Sequence, residues 1–500
     1  MIYKTKVVEP WEGKDYSKTI LQTFAHFLII ALLFLVAIFL NEGSIEGFIE
    51  FFKNPELRMN FTYIVLALLF LIAMVYMYFY YEYRDFLKRG KNLLLLFSVL
   101  EFSLIISYIM GKYVNIYARP VSLCALIILL LVNRRSAIMM NITYCLIMFM
   151  VDTFAFGNFG YDKAIYFSMI IGITTGLLAI YLVSNVTSRV KVFIMGFFIS
   201  LPVIVCILCF EYRAGVSVLP YIAYGLTSGM LSVVVMMAVL PFFEHLFNLV
   251  TDYRLGEITD HNSKLIEKLR IEAPGTFNHS LTVSILAESC ATAIGENPLL
   301  ARAAAYYHDI GKLKQPDYFT ENQADYNPHN ELAPELSTDI IKAHAKDGYE
   351  LINKYHLPPI LADVAREHHG TMPILYFYAK AMKYTESELN IADFSYSGPR
   401  PTSKIAAIIM ICDASEAAVR SQKGERDANK VNDIVKKIIQ ERMDADQFIN
   451  CPITMKDLNL IQVTIAQSLS GVYHHRVTYP KVKFGRRSKE NNNGKKEGKN

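Results

Sequence analysis

Long apolar runs dominate the first half of the chain, and they limit what it can fold into. Of the 500 residues, 53% are hydrophobic, and most of the charged residues lie after position 243. A membrane-spanning helix needs about 20 mostly apolar residues. Eight segments approach this length, near 20–40, 61–81, 92–110, 117–132, 136–155, 164–184, 192–210 and 216–240. The sequence therefore predicts a polytopic helical membrane domain over residues 20–243.

Basic residues in the loops predict the orientation of this domain. They concentrate in the N-terminal segment 1–19 and after the second, fourth and sixth apolar segments, whereas residues 41–60 are net acidic. Basic loops favour the cytoplasmic side, so an even number of spans puts both chain ends in the cytoplasm of a multi-pass plasma-membrane protein. For Glu101 and Asp152, in the apolar segments 92–110 and 136–155, we expect interfacial carboxylates.

The second half of the chain is polar and shows helical spacing of its apolar residues. It predicts a helical linker over 244–273, bracketed by Pro241 and Pro274, and an all-α domain over 274–475. The basic tail 476–500 is predicted to be disordered. A net charge of only +4 does not indicate a DNA or RNA partner, and seven scattered cysteines indicate no disulfide framework.

Histidines and aspartates of the all-α domain recur at helix ends and in apolar surroundings. Asp413, for example, lies between apolar neighbours in "IIMICDASEA", where an unpaired buried carboxylate would be costly. Metal coordination would supply the missing partner. The candidate ligands are His279, His308, Asp309, His344, His368, His369 and Asp413.

Two metal ions fit this set better than one. Adjacent residues on a helix point about 100° apart, so a His-Asp or His-His pair can face two neighbouring ions. Five imidazoles and two carboxylates, one of them bridging, suit two divalent ions roughly 3.5–4 Å apart. The nitrogen-rich donor set favours Mn, Fe or Co over Mg, and Zn stays open.

The ordered motifs "EAPGTFNHS", "YYHDIGKLKQPDYFTENQ", "KAHAKDGYELINKYHLPP", "REHHGT" and "ICDASEAAVR" resemble those of the HD-domain phosphohydrolases. Over about residues 241–475 they are similar to the seven-transmembrane-receptor HD family, bacterial membrane proteins that include cyclic-di-AMP phosphodiesterases. The resemblance implies that His279, His308, Asp309 and Asp413 hold one ion. It implies that Asp309, His344, His368 and His369 hold the other, with Asp309 as the bridge.

This resemblance implies a membrane-anchored hydrolase that opens cyclic-di-AMP to linear pApA with two transition-metal ions, Mn or Fe being favoured. His308 and Asp309 would be catalytic through the metals, and Lys312 would neutralise charge on the phosphate. Lys312 lies four residues after His308, on the same face if the helix continues. In the loop 394–401, Tyr396 could stack on a base and Arg400 could meet a phosphate.

Two departures from the family pattern stand out. The family carries a large extracellular domain after its first span, where this chain has only about residues 41–60, and Ile405 stands where the family often has a glutamate. A Gly-Tyr-Pro signature of the cyclic-di-GMP branch is absent from "EHHGTMPILYFY". The alternatives are a hydrolase for cyclic-di-GMP or a guanosine alarmone, and a receptor that only binds nucleotide. A homodimer stays open.

Overall fold

The structure is a computed structural model, and it describes residues 17–87, 90–155, 169–184, 186, 188–212, 217–384, 388–422 and 428–472. Every regular element in these ranges is a helix, and they contain no strand. The prediction of an all-α chain, with a polytopic membrane domain followed by a second helical domain, is therefore confirmed. Most of the predicted segment 1–19 and the whole predicted tail 476–500 lie outside the described residues.

The membrane part is built from the apolar segments that the sequence indicates. Its helices are α1 (Ser17–Glu42), α2 (Ile45–Lys53), α3 (Pro55–Glu82), α4 (Arg84–Leu87), α5 (Gly90–Tyr113), α6 (Leu123–Leu131), α7 (Arg134–Ala155), α8 (Gly172–Val183), α9 (Arg189–Ile199), α10 (Leu201–Glu211) and α11 (Leu219–Phe247).

Six stretches of the described chain are long and apolar enough to cross a membrane. They are Ser17–Glu42, Pro55–Glu82, Gly90–Tyr113, Arg134–Thr153, Arg189–Glu211 and Leu219–Phe247. The fourth and sixth predicted spans correspond to the shorter apolar stretches Ile116–Leu131 and Met169–Val183, the second of which begins next to residues that are not described. The count of about eight spans stays a prediction.

Helix α6 lies at the centre of the membrane part. It packs against α5, α7, α8 and α11, and its residues from Leu123 to Ile128 are fully buried. Nine residues of α-helix extend about 14 Å, less than half of the roughly 30 Å hydrocarbon core. The irregular backbone before α6 is also covered by protein, since Tyr117, Ala118 and Arg119 are buried, and this is the condition under which such backbone is tolerated at membrane depth.

Two charged pairs inside the membrane part correct the sequence interpretation. Asp152 is fully buried, and its Oδ2 accepts a hydrogen bond of 2.7 Å from Nη1 of Arg119. Glu101 lies halfway along α5, and its Oε1 is 2.8 Å from Nδ1 of His26. The expectation of an interfacial carboxylate is wrong for Glu101, which lies at mid-span. Asp152 lies at the end of the span Arg134–Thr153, as expected, but it is buried there, and Arg119 on a distant segment makes this burial tolerable.

The second part contains α12 (Asp252–Ile258), α13 (Lys264–Glu272), α14 (Pro274–Ile294), α15 (Pro298–Tyr307), α16 (Pro334–Lys354), α17 (Pro359–Glu367), α18 (Leu375–Ala381), α19 (Lys404–Ser421), α20 (Ala428–Asp444) and α21 (Met455–Val472). Helix α14 is central, because it packs against α13, α15, α19 and α21. Short 3₁₀ turns occupy much of residues 310–330 between α15 and α16.

The predicted linker 244–273 is helical, but it is packed against its neighbours rather than only connecting the two parts. Helix α11 runs through Pro241 to Phe247, so the proline does not mark the end of the last membrane helix. Leu255 of α12 and Leu265, Ile266 and Leu269 of α13 are buried in the same hydrophobic core as α14. These connecting helices are thus part of the second domain's packing, and their helical spacing reflects a buried face.

Candidate metal centre

All seven predicted ligands lie on helices of the second domain or directly next to them. His279 is in the second turn of α14, rather than at its opening as the sequence suggested. His308 and Asp309 follow the end of α15, and His344 lies within α16. The remaining three are His368 and His369, directly after α17, and Asp413 in α19.

The ligand atoms fall into two groups. One group is His279, His308 and Asp413, and the other is Asp309, His344, His368 and His369, with all ligand atoms of a group within 4.8 Å of one another. Asp309 lies between the two. Its Oδ2 is 3.3 Å from Nε2 of His308, and its Oδ1 is 3.3 Å from Nε2 of His344. One carboxylate oxygen therefore faces each group.

A close backbone approach brings α16 to Asp309. A Cβ added to Gly311 would overlap the carbonyl oxygen of His344 and lie 2.5 Å from the backbone nitrogen of Gly348. Only glycine leaves room for this contact. The same contact fixes His344 relative to the His308-Asp309 pair, so Gly311 serves the geometry of the site rather than only ending a helix.

Backbone hydrogen bonds orient three of the histidines. Nδ1 of His308, His344 and His368 lies 2.7, 2.6 and 2.8 Å from the carbonyl oxygens of Ala305, Ile341 and Ala365. Since a carbonyl only accepts, each Nδ1 donates a hydrogen bond to it, and each ring directs its Nε2 at the centre. The arrangement is the one that metal-binding histidines require.

Glu416 orients His279 in the same way, and it was not among the predicted site residues. Its Oε2 is 2.6 Å from Nδ1 of His279, whose Nε2 is 3.0 Å from Oδ1 of Asp413. Glu416 is buried and lies three residues after Asp413 in α19, on the same helical face. That spacing within "CDASE" is a signal from which the sequence could have suggested it.

Burial and charge shift the protonation of the site strongly. Burial alone would raise the pKa of Asp309, but the charges of Lys312 and His308 hold it well below its ordinary value. Burial likewise opposes ionisation of Asp413, and hydrogen bonding to His279 holds its pKa low. Burial lowers the pKa of His344 to about 4 and that of His369 well below its usual range. These shifts favour ionised carboxylates and neutral His344 and His369, the forms that bind metal. His279 differs: burial would lower its pKa, but Asp413 and Glu416 raise it to about 9, so metal binding there would release a proton.

Lys312 reaches the centre by a route the sequence did not predict. Helix α15 ends at Tyr307, and residues Ile310–Lys314 form a 3₁₀ turn, so the helix does not continue to Lys312. Its Nζ nevertheless lies 2.7 Å from Oδ2 of Asp309 and 2.7 Å from Oε1 of Glu321. Burial would lower the pKa of Lys312, but these two carboxylates outweigh it and raise that pKa.

The two predicted substrate contacts lie beside the second group. The Tyr396 ring stacks on the His369 ring, with centroids 4.2 Å apart and planes 25° from parallel. Nε of Arg400 lies 3.4 Å from Oγ1 of Thr371, two residues after His369. One face of Tyr396 is therefore taken by His369, and the His344 ring lies nearly perpendicular to Tyr396 with centroids 6.0 Å apart.

The centre fits divalent cations. Nε2 of His308 and Oδ1 of Asp309 are buried and, within the described residues, have no hydrogen-bond partner. Nε2 of His344 faces Nε2 of His368 at 3.3 Å, although both rings carry their proton on Nδ1. Converging lone pairs without a donor are costly unless a cation lies between them.

Comparison with protein families agrees with this architecture in both parts of the chain. Residues 58–251 match the family described as a 7TM receptor with intracellular HD hydrolase. Residues 276–418, which include every predicted ligand, match the HD domain. The chain belongs to the seven-transmembrane-receptor HD family. Membership confirms the resemblance that the ordered histidine motifs indicated.

Two curated relatives align with most of the chain. The chain is 35% identical over 428 residues to the cyclic-di-AMP phosphodiesterase PgpH of Bacillus subtilis, covering 83% of this chain and 59% of that protein. The PgpH of Listeria monocytogenes is 34% identical over 422 residues, covering 82% and 57%. The chain thus spans somewhat under 60% of the length of these relatives. A crystal structure of the L. monocytogenes PgpH HD domain with cyclic-di-AMP is 46% identical, with a TM-score of 0.41, and covers 43% of this chain and 99% of that one.

Proposed function

We propose that this protein is a membrane-anchored, metal-dependent phosphodiesterase that hydrolyses cyclic-di-AMP to linear pApA. The observation that carries the proposal is the convergence of two histidine-rich ligand groups on Asp309. The relatives named cyclic-di-AMP phosphodiesterase supply the substrate class. Hydrolysis of a phosphodiester needs a nucleophile and a clamp on the phosphate oxygens, and a two-metal site supplies both.

Each ion has a distinct set of ligands in the proposal. His279, His308, Asp309 and Asp413 hold one, while Asp309, His344, His368 and His369 hold the other. The imidazole-rich set favours Mn or Fe. When bound, the ions lower the pKa of a water molecule and polarise the phosphate. Glu416 and the three backbone carbonyls keep the imidazole lone pairs directed at the ions.

Three further residues act on the substrate in this proposal. The Lys312 ammonium lies next to Asp309 and is placed to neutralise charge that develops on the phosphate. Tyr396 offers its ring to a base, and Arg400, half-buried on the loop beside Thr371, meets a phosphate oxygen. Tyr396 and Arg400 depend on the loop 394–401, whereas Lys312 lies in the 3₁₀ turn after α15 and the metal ligands lie on or directly next to helices.

The purified full chain in detergent tests this function with a panel of nucleotides. With Mn²⁺ present, we expect cyclic-di-AMP to be converted to pApA faster than cyclic-di-GMP or a guanosine tetraphosphate is consumed. Chelation should abolish hydrolysis, and added Mn²⁺ should restore it, because the nucleophile depends on the ions. Preferred hydrolysis of another nucleotide would contradict the substrate assignment. Nucleotide binding without turnover, at any metal concentration, would instead indicate a receptor.

A topology experiment tests the proposed cytoplasmic position of the HD domain. A reporter fused after Phe484 should behave as cytoplasmic, and a reporter inserted near Ser44 should behave as external. The expectation follows from the basic loops, which favour the cytoplasmic side. Ser44 lies between α1 and α2, at the opposite end of α1 from the N-terminal basic segment. An external signal at the Phe484 fusion would contradict the orientation.

A further inference from the structure

Lys312 sits between two buried carboxylates, and only one of them belongs to the ligand set. Its Nζ is 2.7 Å from Oδ2 of Asp309 and 2.7 Å from Oε1 of Glu321. The side chains of Asp309, Lys312 and Glu321 are 2%, 12% and 11% exposed, so water cannot replace either ion pair fully. A buried ammonium needs at least one of these partners at all times.

Glu321 is held in place by contacts with the start of α14. Its Oε1 lies 3.1 Å from the hydroxyl of Thr276. The side chain of Asn322 accepts a hydrogen bond of 3.0 Å from the backbone nitrogen of Thr276 and donates one of 2.9 Å to its hydroxyl. Gly275 allows the approach, because a Cβ there would overlap the carbonyl of Glu321. These contacts fix the Glu321 carboxylate beside Lys312. Thr276, which makes them, lies one turn before His279 in α14.

The Asp309 carboxylate cannot contact Lys312 and two metal ions at once without bringing cations close together. Its Oδ1 faces His344 and His368, at 3.3 and 3.7 Å from their Nε2 atoms. Its Oδ2 faces His308 and is also the oxygen that contacts Lys312. An ion bound to His308 would share Oδ2 with the lysine, and two cations on one carboxylate oxygen repel each other at short range.

We propose that Glu321 is a positioning residue that retains Lys312 when metal ions occupy Asp309, so that the lysine stays near the phosphate without competing for the bridging carboxylate. This inference rests on the proposed two-metal site. The role of Glu321 differs from that of Glu416. Glu416 orients the predicted ligand His279, whereas Glu321 holds the Lys312 ammonium, which would otherwise compete with the metal ions for Asp309. Removing Glu321 should therefore weaken metal binding only while Lys312 is present.

Mn²⁺ binding to the metal-free full chain tests this dependence in a double-mutant cycle. Free Mn²⁺ would be followed by electron paramagnetic resonance for the wild type, Glu321→Gln, Lys312→Met and the double variant. Glu321→Gln should bind Mn²⁺ about tenfold or more weakly, as is typical when a group outside the ligand shell is lost. Lys312→Met should bind Mn²⁺ at least as tightly as the wild type. The Mn²⁺ affinity of the double variant should be within about threefold of that of Lys312→Met.

The same Mn²⁺ titration includes a control variant and can contradict the proposal in two ways. Glu335→Gln, at an exposed position in the first turn of α16, should bind like the wild type. A double variant as weak as Glu321→Gln alone would overturn the proposal, because the loss would then be structural and independent of Lys312. Wild-type binding by Glu321→Gln would overturn it as well. The assay contains no nucleotide, so a failure to hydrolyse cyclic-di-AMP contradicts the proposed function alone.

Discussion

Asp309→Asn should leave a folded, membrane-inserted protein with almost no hydrolysis of cyclic-di-AMP. Asp309 presents one oxygen to each ligand group at 3.3 Å, whereas Asp413 comes no closer than 3.9 Å to His369 of the second group. An amide lacks the bridging negative charge, so the ions should separate or be lost, and the pKa of the attacking water should rise. Hydrolysis is measured at saturating Mn²⁺, and folding is checked by thermal unfolding of the same preparation.

Lys312→Ala is the matched comparison for this variant. It removes one charge-stabilising contact to the phosphate while both ions keep their ligands. Such a contact is typically worth a few kcal/mol, or roughly a hundredfold or more in rate. The loss should be smaller than that of Asp309→Asn. If Asp309→Asn retained near wild-type activity while Lys312→Ala did not, the bridging role of Asp309 would be wrong.

Gly311→Ala should disrupt the centre without changing any ligand. The added Cβ would overlap the backbone of α16 at His344, and backbone cannot move aside as a flexible side chain can. Moving α16 away would displace His344 from Asp309, and a displacement of about 1 Å can cost roughly a hundredfold in rate. We expect weaker Mn²⁺ binding, at least that loss of hydrolysis and a lower unfolding temperature.

Gly256→Ala provides the control for this substitution. Gly256 lies in α12, and a Cβ there would meet no atom within 4 Å. Alanine is the better helix former, so this variant should be as stable as the wild type or slightly more stable, with unchanged hydrolysis. Wild-type activity and Mn²⁺ binding in Gly311→Ala would show that the approach of α16 to the His308-Asp309 turn is not required.

The metal ligands could be chosen from the sequence because each occurs in a characteristic local motif at a helix end or on a buried helix face. The partners that hold them could not all be chosen in this way. Glu321 lies in a loop whose position depends on Thr276 and Asn322, a contact between residues about 45 positions apart. Glu416 was recoverable from its spacing to Asp413, but only once Asp413 was placed next to His279.

The membrane part shows the same limit. Hydropathy located the apolar segments, since about 20 apolar residues suffice to indicate a span. It could not show that α6 is a short helix buried by its neighbours, nor that α11 continues through Pro241. It also did not reveal the partners of Glu101 and Asp152, because His26 and Arg119 lie on other segments. These features depend on tertiary contacts that have no local pattern.

The metal content of the purified full chain tests the two-ion centre most directly. The protein would be loaded with Mn²⁺ or Fe²⁺, passed through a desalting column, and analysed by elemental mass spectrometry together with Asp309→Asn. We expect close to two transition-metal ions per chain in the wild type and fewer in the variant, because Asp309 lies in one ligand group and its Oδ2 faces His308 of the other. A wild-type protein that retains no ion, or retains two ions regardless of Asp309→Asn, would contradict the bridged two-metal site.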